Sequence, residues 1–188
     1  MRIQGNAVKP GNILLHQNKL WRVVKIQHVK PGKGGAFNQV ELKNIPDGTK
    51  LNERFRSDDL IEKVRLDEQK YQYLYTADDL LTLMHSENFE QITVSAGLLG
   101  DARKFLAEMM ELTVESYEGK PIAVSLPESV TLAVSETEPV VKGQTATSSY
   151  KPALLENGVR TMVPPHIEAG QRIVVNTQNG EYMERARN

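Results

Sequence analysis

Apolar and polar residues alternate along much of this chain, and the alternation repeats every two residues. In "AFNQVELK" (36–43), Val40 and Leu42 point one way while Gln39, Glu41 and Lys43 point the other, as along a half-buried β-strand. "LWRVVKIQHV" (20–29) is rich in β-branched and aromatic residues and leads into a glycine-rich segment. Two such runs around a short loop predict a β-hairpin. "TKLNERFR" and "IEKVRL" continue the pattern, with Asp47-Gly48 in "IPDGT" as a turn. A set of about five short strands suits a small closed or half-closed barrel.

In the middle third, "KYQYLYTADDLLTLM" predicts strand, turn and strand, with Tyr71, Tyr73 and Tyr75 on one face. "LLGDARKFLAEMM" is the one stretch with helical spacing, through Leu98, Leu99, Ala102, Phe105, Leu106 and Met109. Gly119-Lys120-Pro121 breaks the chain, and "PIAVSLP" and "VTLAVSE" resume the strands. Strands interrupted by one short helix are the pattern of an oligonucleotide-binding (OB) barrel. The last third opens with the polar loop "EPVVKGQTATSSYKPA". The strands "VRTMVP", "QRIVVNT" and "EYMERA" follow, with turns at "EAG" and "QNG". The expected fold is mainly β: three consecutive small barrels, at 1–64, 65–128 and 129–188.

Composition adds little to this picture, but charge adds more. The 188 residues, 39% hydrophobic and 25% charged, are those of an ordinary globular protein. No cysteine is present, so disulfides and thiolate metal sites are excluded. "MRIQGNAVKPGN" lacks the apolar core of a signal peptide, and no apolar run nears the roughly 18–20 residues of a membrane span. A cytoplasmic protein without a membrane segment is expected. The net charge of −1 hides an uneven distribution. Residues 1–64 hold 12 Lys+Arg against 6 Asp+Glu, residues 65–128 hold 5 against 12, and residues 129–188 hold 6 of each. A basic first third attracts nucleic-acid phosphates.

Familiar catalytic constellations do not appear. His16, His28, His85 and His166 are scattered without metal-ligand spacing, and no G-x-S-x-G elbow exists, so neither metal nor cofactor is expected. Asp58-Asp59 and Asp78-Asp79 are adjacent pairs that point apart on a strand and suit turns or caps. The glycine loop is not a phosphate cradle either: Lys33 is followed by Gly34-Gly35-Ala36 and a strand, not by Ser or Thr and a helix.

That leaves the lysine itself. In "HVKPGKGGAF", Lys33 stands between Pro31-Gly32 and Gly34-Gly35. The glycines remove bulk, and Pro31 stiffens the approach. A slim finger ending in one ammonium fits a narrow, phosphate-lined crevice, where Lys acts as a compact point charge.

"VKPGKGGAF" also resembles the tip loop of bacterial translation elongation factor P. The resemblance continues in order through "YLY", "FEQ" at Phe89–Gln91, "GD", "EGKPI", "VKG…KPA" and "NGEY", and covers essentially the whole chain. This family is related to the hypusine-bearing initiation factor of archaea and eukaryotes, which has only the first two blocks. The resemblance implies an L-shaped, tRNA-like monomer, a KOW/SH3-like barrel followed by two OB barrels. It implies binding to the 70S ribosome between the P and E sites, with Lys33 and its loop (Lys30, Pro31, Gly32, Gly34, Gly35) reaching the CCA end of the P-site peptidyl-tRNA. Stalling at consecutive prolines is relieved, and the chemistry stays with the ribosome, so the protein is not an enzyme. In many members a modifying enzyme extends the equivalent lysine, for example with a β-lysyl group. Lys25, Arg54 and Arg56, with Lys30, become candidate RNA-backbone contacts. Tyr182, Arg185 and Arg187 follow the "GEY" pattern and would meet the small subunit.

The loop holding Gly143, Gln144 and Thr145 would approach the E-site codon of the mRNA. It departs from the usual family pattern, with Gln144 where an acidic residue is common and Ser149-Tyr150 where a glycine pair is common. "TQNGEY" lacks the arginine often found before that turn. Two other readings come from different classes. A general single-stranded RNA-binding OB protein would need a basic groove with exposed aromatics, yet only 6% of residues are aromatic. A hydrolase using Lys33 as nucleophile would need burial or a cationic neighbour to depress the lysine pKa.

Overall fold

The computed structural model describes residues 1–141 and 149–187. Sixteen strands among the described residues form three curled sheets. The first contains β1 (Arg2–Gln4), β2 (Ile13–His16), β3 (Lys19–Val29), β4 (Phe37–Ile45), β5 (Lys50–Arg56) and β6 (Leu60–Val64), in the order β1-β6-β2-β3-β4-β5. The second contains β7 (Asp67–Ala77), β8 (Leu80–His85), β9 (Gln91–Ser95), β10 (Glu111–Tyr117) and β11 (Lys120–Ser125), in the order β11-β10-β7-β8-β9. The third contains β12 (Ser129–Thr137), β13 (Lys151–Leu155), β14 (Arg160–Val163), β15 (Arg172–Asn176) and β16 (Tyr182–Arg185), in the order β14-β13-β12-β15-β16. The mainly β fold class holds. By packing, the chain divides into two compact units: Met1–Gln69 with Val114–Ala123, and Lys70–Thr113 with Val124–Asn188.

In the first unit, period two decides which side chains are buried. Trp21, Val23, Val40, Leu42 and Phe55 face inward and pack with Val8, Leu14 and Ile61. The opposite face carries an apolar cluster at one end. There Ile13, Leu20 and Ile45 pack against Ile122, with Tyr117 and Ala123 alongside, and Arg22 pairs with Glu115 at 2.9 Å. Toward the β3–β4 loop the same face is mostly polar, with Val29 and Phe37 as the apolar pair nearest the loop. Tight turns carry the reversals: Gln17-Asn18 and Asp78-Asp79 have positive φ at both positions, as a type I′ two-residue hairpin turn requires. The Asp78-Asp79 pair thus serves a turn. Asp59 serves another, its carboxylate accepting from the Arg56 N–H at 2.8 Å.

Three expectations need correction. The helix expected at 98–109 is a 3₁₀ segment, Ala96–Phe105, broken at Gly100 (φ 55°, ψ −138°). The apolar positions serve two short turns rather than one face: Leu99 and Phe105 are buried, Phe105 in the core of the third sheet with Val134, Ile167 and Ile173, whereas Met109 is exposed. Nor do all three tyrosines share a face: Tyr71 and Tyr73 do, and Tyr75 does not. The β7–β8 register shifts between Tyr73 and Tyr75, so Tyr71 meets His85 edge-on at 5.1 Å while Tyr75 is exposed. Finally, "KPA" belongs to a strand and not to the preceding loop. The side chain of Lys151 is buried, and its Nζ donates to the carbonyl of Glu138 at 2.6 Å.

Candidate functional site

Strands β3 and β4 pair as far as Val29 opposite Phe37, leaving a loop at 30–36. Pro31, Gly32, Lys33, Gly34 and Gly35 are all exposed, as is Lys30. Lys33 makes no hydrogen bond or ion pair among the described residues. Gly34 has φ +114°, a conformation that side chains other than glycine rarely adopt. A methyl added at Gly32 or Gly35 would meet nothing within 4 Å. The loop is slim because three of its residues are glycines, and residues 30–35 form no hydrogen bond among the described residues.

Register places the candidate cations. Directly opposed residues share a face, and the rows nearest the loop read Lys25, Glu41, Asn52; then Gln27, Gln39, Arg54; then Val29, Phe37, Arg56. Lys25, Arg54 and Arg56 therefore lie on one exposed face beside the tip. A register shift between Val23 and Lys25 leaves the extra Val24 at 45% exposure and returns Lys25 to this face. Arg54 lies over the Phe37 ring, 3.6 Å from its centroid, which fixes a flat guanidinium at the loop's base.

The inner side of the same hairpin end carries a polar network. Asn38 is buried at 4% exposure, and its Nδ2 donates to the Gly5 carbonyl at 2.9 Å. Its Oδ1 lies 2.6 Å from Nδ1 of His28. The Gly5 N–H donates to the Asp59 carbonyl at 2.8 Å, and the Ser57 hydroxyl donates to the Ala36 carbonyl at 3.0 Å. The sequence motifs do not mark these residues as functional. One signal was present: Asn38 falls on the face of Val40 and Leu42, where an apolar residue is expected.

Tyr182, Arg185 and Arg187 belong to the second compact unit. Arg185 and Arg187 are exposed, while Tyr182 is partly buried and meets Tyr150 edge-on at 6.3 Å. Burial, with lesser contributions from Tyr150 and Glu184, raises the pKa of the Tyr182 hydroxyl. Gly143, Gln144 and Thr145 lie outside the described residues. Among the described residues, no group of three or more His, Asp or Glu is placed to hold a metal ion, and no helix is long and apolar enough to cross a membrane.

Comparison with known proteins bears on the hairpin and on the rest of the chain. Residues 4–61 match the elongation factor P KOW-like domain, 66–124 its OB domain, and 130–185 its C-terminal domain. Elongation factor P of Parvibaculum lavamentivorans is 60% identical over 99% of this chain and 100% of its own length. The chain belongs to the elongation factor P family. Elongation factor P of Chelativorans sp. is 56% identical and that of Zymomonas mobilis 55%, each over 99% of this chain and all of the relative. Among solved structures, eukaryotic translation initiation factor 5A from Methanococcus jannaschii matches with a TM-score of 0.57 at 20% identity. It covers 67% of this chain and 92% of its own, and at that identity it speaks for the fold alone. The chain is thus a member of a family of translation factors, and the resemblance in "VKPGKGGAF" extends over its whole length.

Proposed function

We propose that this translation factor binds the ribosome between the P and E sites and presents Lys33 to the CCA end of the peptidyl-tRNA. It thereby speeds peptide-bond formation at consecutive prolines. Proline is a secondary amine with a locked φ, so it reaches a near-attack geometry poorly, and positioning can be worth several powers of ten in rate. Pinning the tRNA end restores that geometry without any bond to Lys33, so the factor is not itself the catalyst. Lys25, Lys30, Arg54 and Arg56 contact RNA phosphates, and Tyr182, Arg185 and Arg187 meet the small subunit. Gly143, Gln144 and Thr145 approach the E-site codon. An enzyme that lengthens Lys33 adds reach and donors.

The observation that carries this reading is the exposed ammonium of Lys33, without a hydrogen bond or ion pair among the described residues, on a loop built largely of glycine. It is tested with Lys33→Ala in reconstituted translation of a Pro-Pro-Pro template. The variant is expected to fold normally and to lose the stimulation of Pro-Pro synthesis, while templates lacking proline pairs are unaffected. Full stimulation by Lys33→Ala overturns it.

A further inference from the structure

Residues 30–35 take part in no hydrogen bond among the described residues. The place of the Lys33 amine is therefore set by where the two arms leave the sheet, at Val29 and Phe37. A small pivot there becomes a large displacement at the tip. On the face that carries Val40 and Leu42, the pair nearest the loop is buried Asn38 opposite His28, which is itself exposed.

The chemistry of this pair is fixed by its neighbours. A backbone carbonyl only accepts, so the Asn38 atom facing the Gly5 carbonyl at 2.9 Å must be the amide nitrogen. The Asn38 oxygen then faces His28, and an oxygen acceptor 2.6 Å away requires that His28 Nδ1 carry the proton. A directed chain results: His28 Nδ1–H to Asn38, Asn38 to the Gly5 carbonyl, and the Gly5 N–H to the Asp59 carbonyl. Its end is rigid, because a Cβ at Gly5 would lie 2.0 Å from the Arg56 carbonyl oxygen.

The two arms are not held alike. The β4 arm is held to the barrel by the Asn38 amide and by the Ser57 hydroxyl at the Ala36 carbonyl. On the β3 arm, the side-chain tie closest to the loop is the His28 bond. The geometry points to His28 as a positioning residue for Lys33: its Nδ1–H fastens the second arm to the buried Asn38–Gly5 anchor and so fixes the aim of the tip. This rests on the proposed role of Lys33.

The test uses the full-length factor in the same Pro-Pro-Pro assay, with the rate followed against factor concentration. His28→Leu removes the donor, and His28→Asn puts an amide nitrogen at the reach of the ring Nδ1. Lys33→Ala is run alongside. A misplacement of about 1 Å at a reacting centre can cost up to a hundredfold. His28→Leu is expected to lower the saturating rate about tenfold, with the half-saturating concentration within about twofold of wild type, since the cationic face is intact. His28→Asn is expected to recover most of the rate. Nitrogen NMR of neutral His28 is expected to show the Nδ1–H tautomer. An unchanged saturating rate in His28→Leu overturns the inference. So does equal loss in His28→Asn, a loss confined to the half-saturating concentration, or the Nε2–H tautomer. Loss in Lys33→Ala with an unaffected His28→Leu removes this inference alone; full activity of Lys33→Ala removes the functional reading and the inference together.

Discussion

Replacing Gly5 by alanine would put a methyl carbon 2.0 Å from the Arg56 carbonyl oxygen, 3.1 Å from the Arg56 carbonyl carbon and 3.3 Å from the Phe55 Cβ. Real Cβ atoms essentially never come within 3.0 Å, and the main obstacle is backbone, so the two segments must part by about 1 Å. Overpacking of this kind costs about 1–3 kcal/mol. The movement also loosens the bonds from the Gly5 N–H to Asp59 and from Asn38 to Gly5, at about 1 kcal/mol each. Alanine returns about 0.5–1 kcal/mol through the unfolded chain. The collision dominates, and a net loss of about 3 kcal/mol follows. Trp21, the chain's single tryptophan, is 5% exposed in the first unit's core, so its fluorescence reports this unit. With a urea slope of about 1.5 kcal/mol/M, the midpoint should fall by about 2 M. Gly35→Ala is the control: it meets nothing within 4 Å and should shift the midpoint by no more than about 0.3 M. A Gly5→Ala midpoint as close to wild type as the control's would refute the steric reasoning.

Two ionisable groups give further expectations. The Thr49 backbone N–H, at 2.8 Å, and then the Thr49 hydroxyl hold the Asp47 carboxyl below its ordinary pKa of 3.8. Stability from this turn is complete above the unfolded value and is lost as pH falls through the lower folded one, so Asp47→Asn should flatten the acid limb of the stability curve. Carbon NMR titration of Asp47 checks it, and a value at or above 3.8 counts against the assignment. For Tyr182 the sign is opposite in pH: burial, then Tyr150, raises its pKa above 10.0, so stability declines as pH climbs from the unfolded value toward the folded one. Tyr150→Leu should bring the Tyr182 titration down toward 10.0, and an unmoved titration would exclude Tyr150 as a cause.

The strands were readable because each carries its own alternation, and the tip because glycine and proline act locally. "AFNQVELK" and "QRIVVNT" lie in strands β4 and β15, close to where the pattern put them. What failed was decided at a distance or by a single inserted residue. The register shift after Tyr73 overrides the tyrosine alternation, and the left-handed Gly100 divides a helical-looking run whose Phe105 is needed in another core. Lys151 reads as loop because its polar neighbours conceal a side chain that folds back to the Glu138 carbonyl. At the candidate site, the exposed tip at Lys33 and the common face of Arg54 and Arg56 follow from local pattern, whereas Lys25 joins that face only through the register shift at Val24. The Gly5–Asn38–His28 network does not follow from local pattern, since it joins residues more than thirty positions apart.

The empty surroundings of the glycine loop have an evolutionary consequence. Among the described residues, a change of the terminal group at position 33 breaks no hydrogen bond or ion pair of the barrel. Selection on what the fingertip carries and selection on how well the domain survives heat then act on separate sets of residues. Lineages are free to diversify the former while the latter stays fixed.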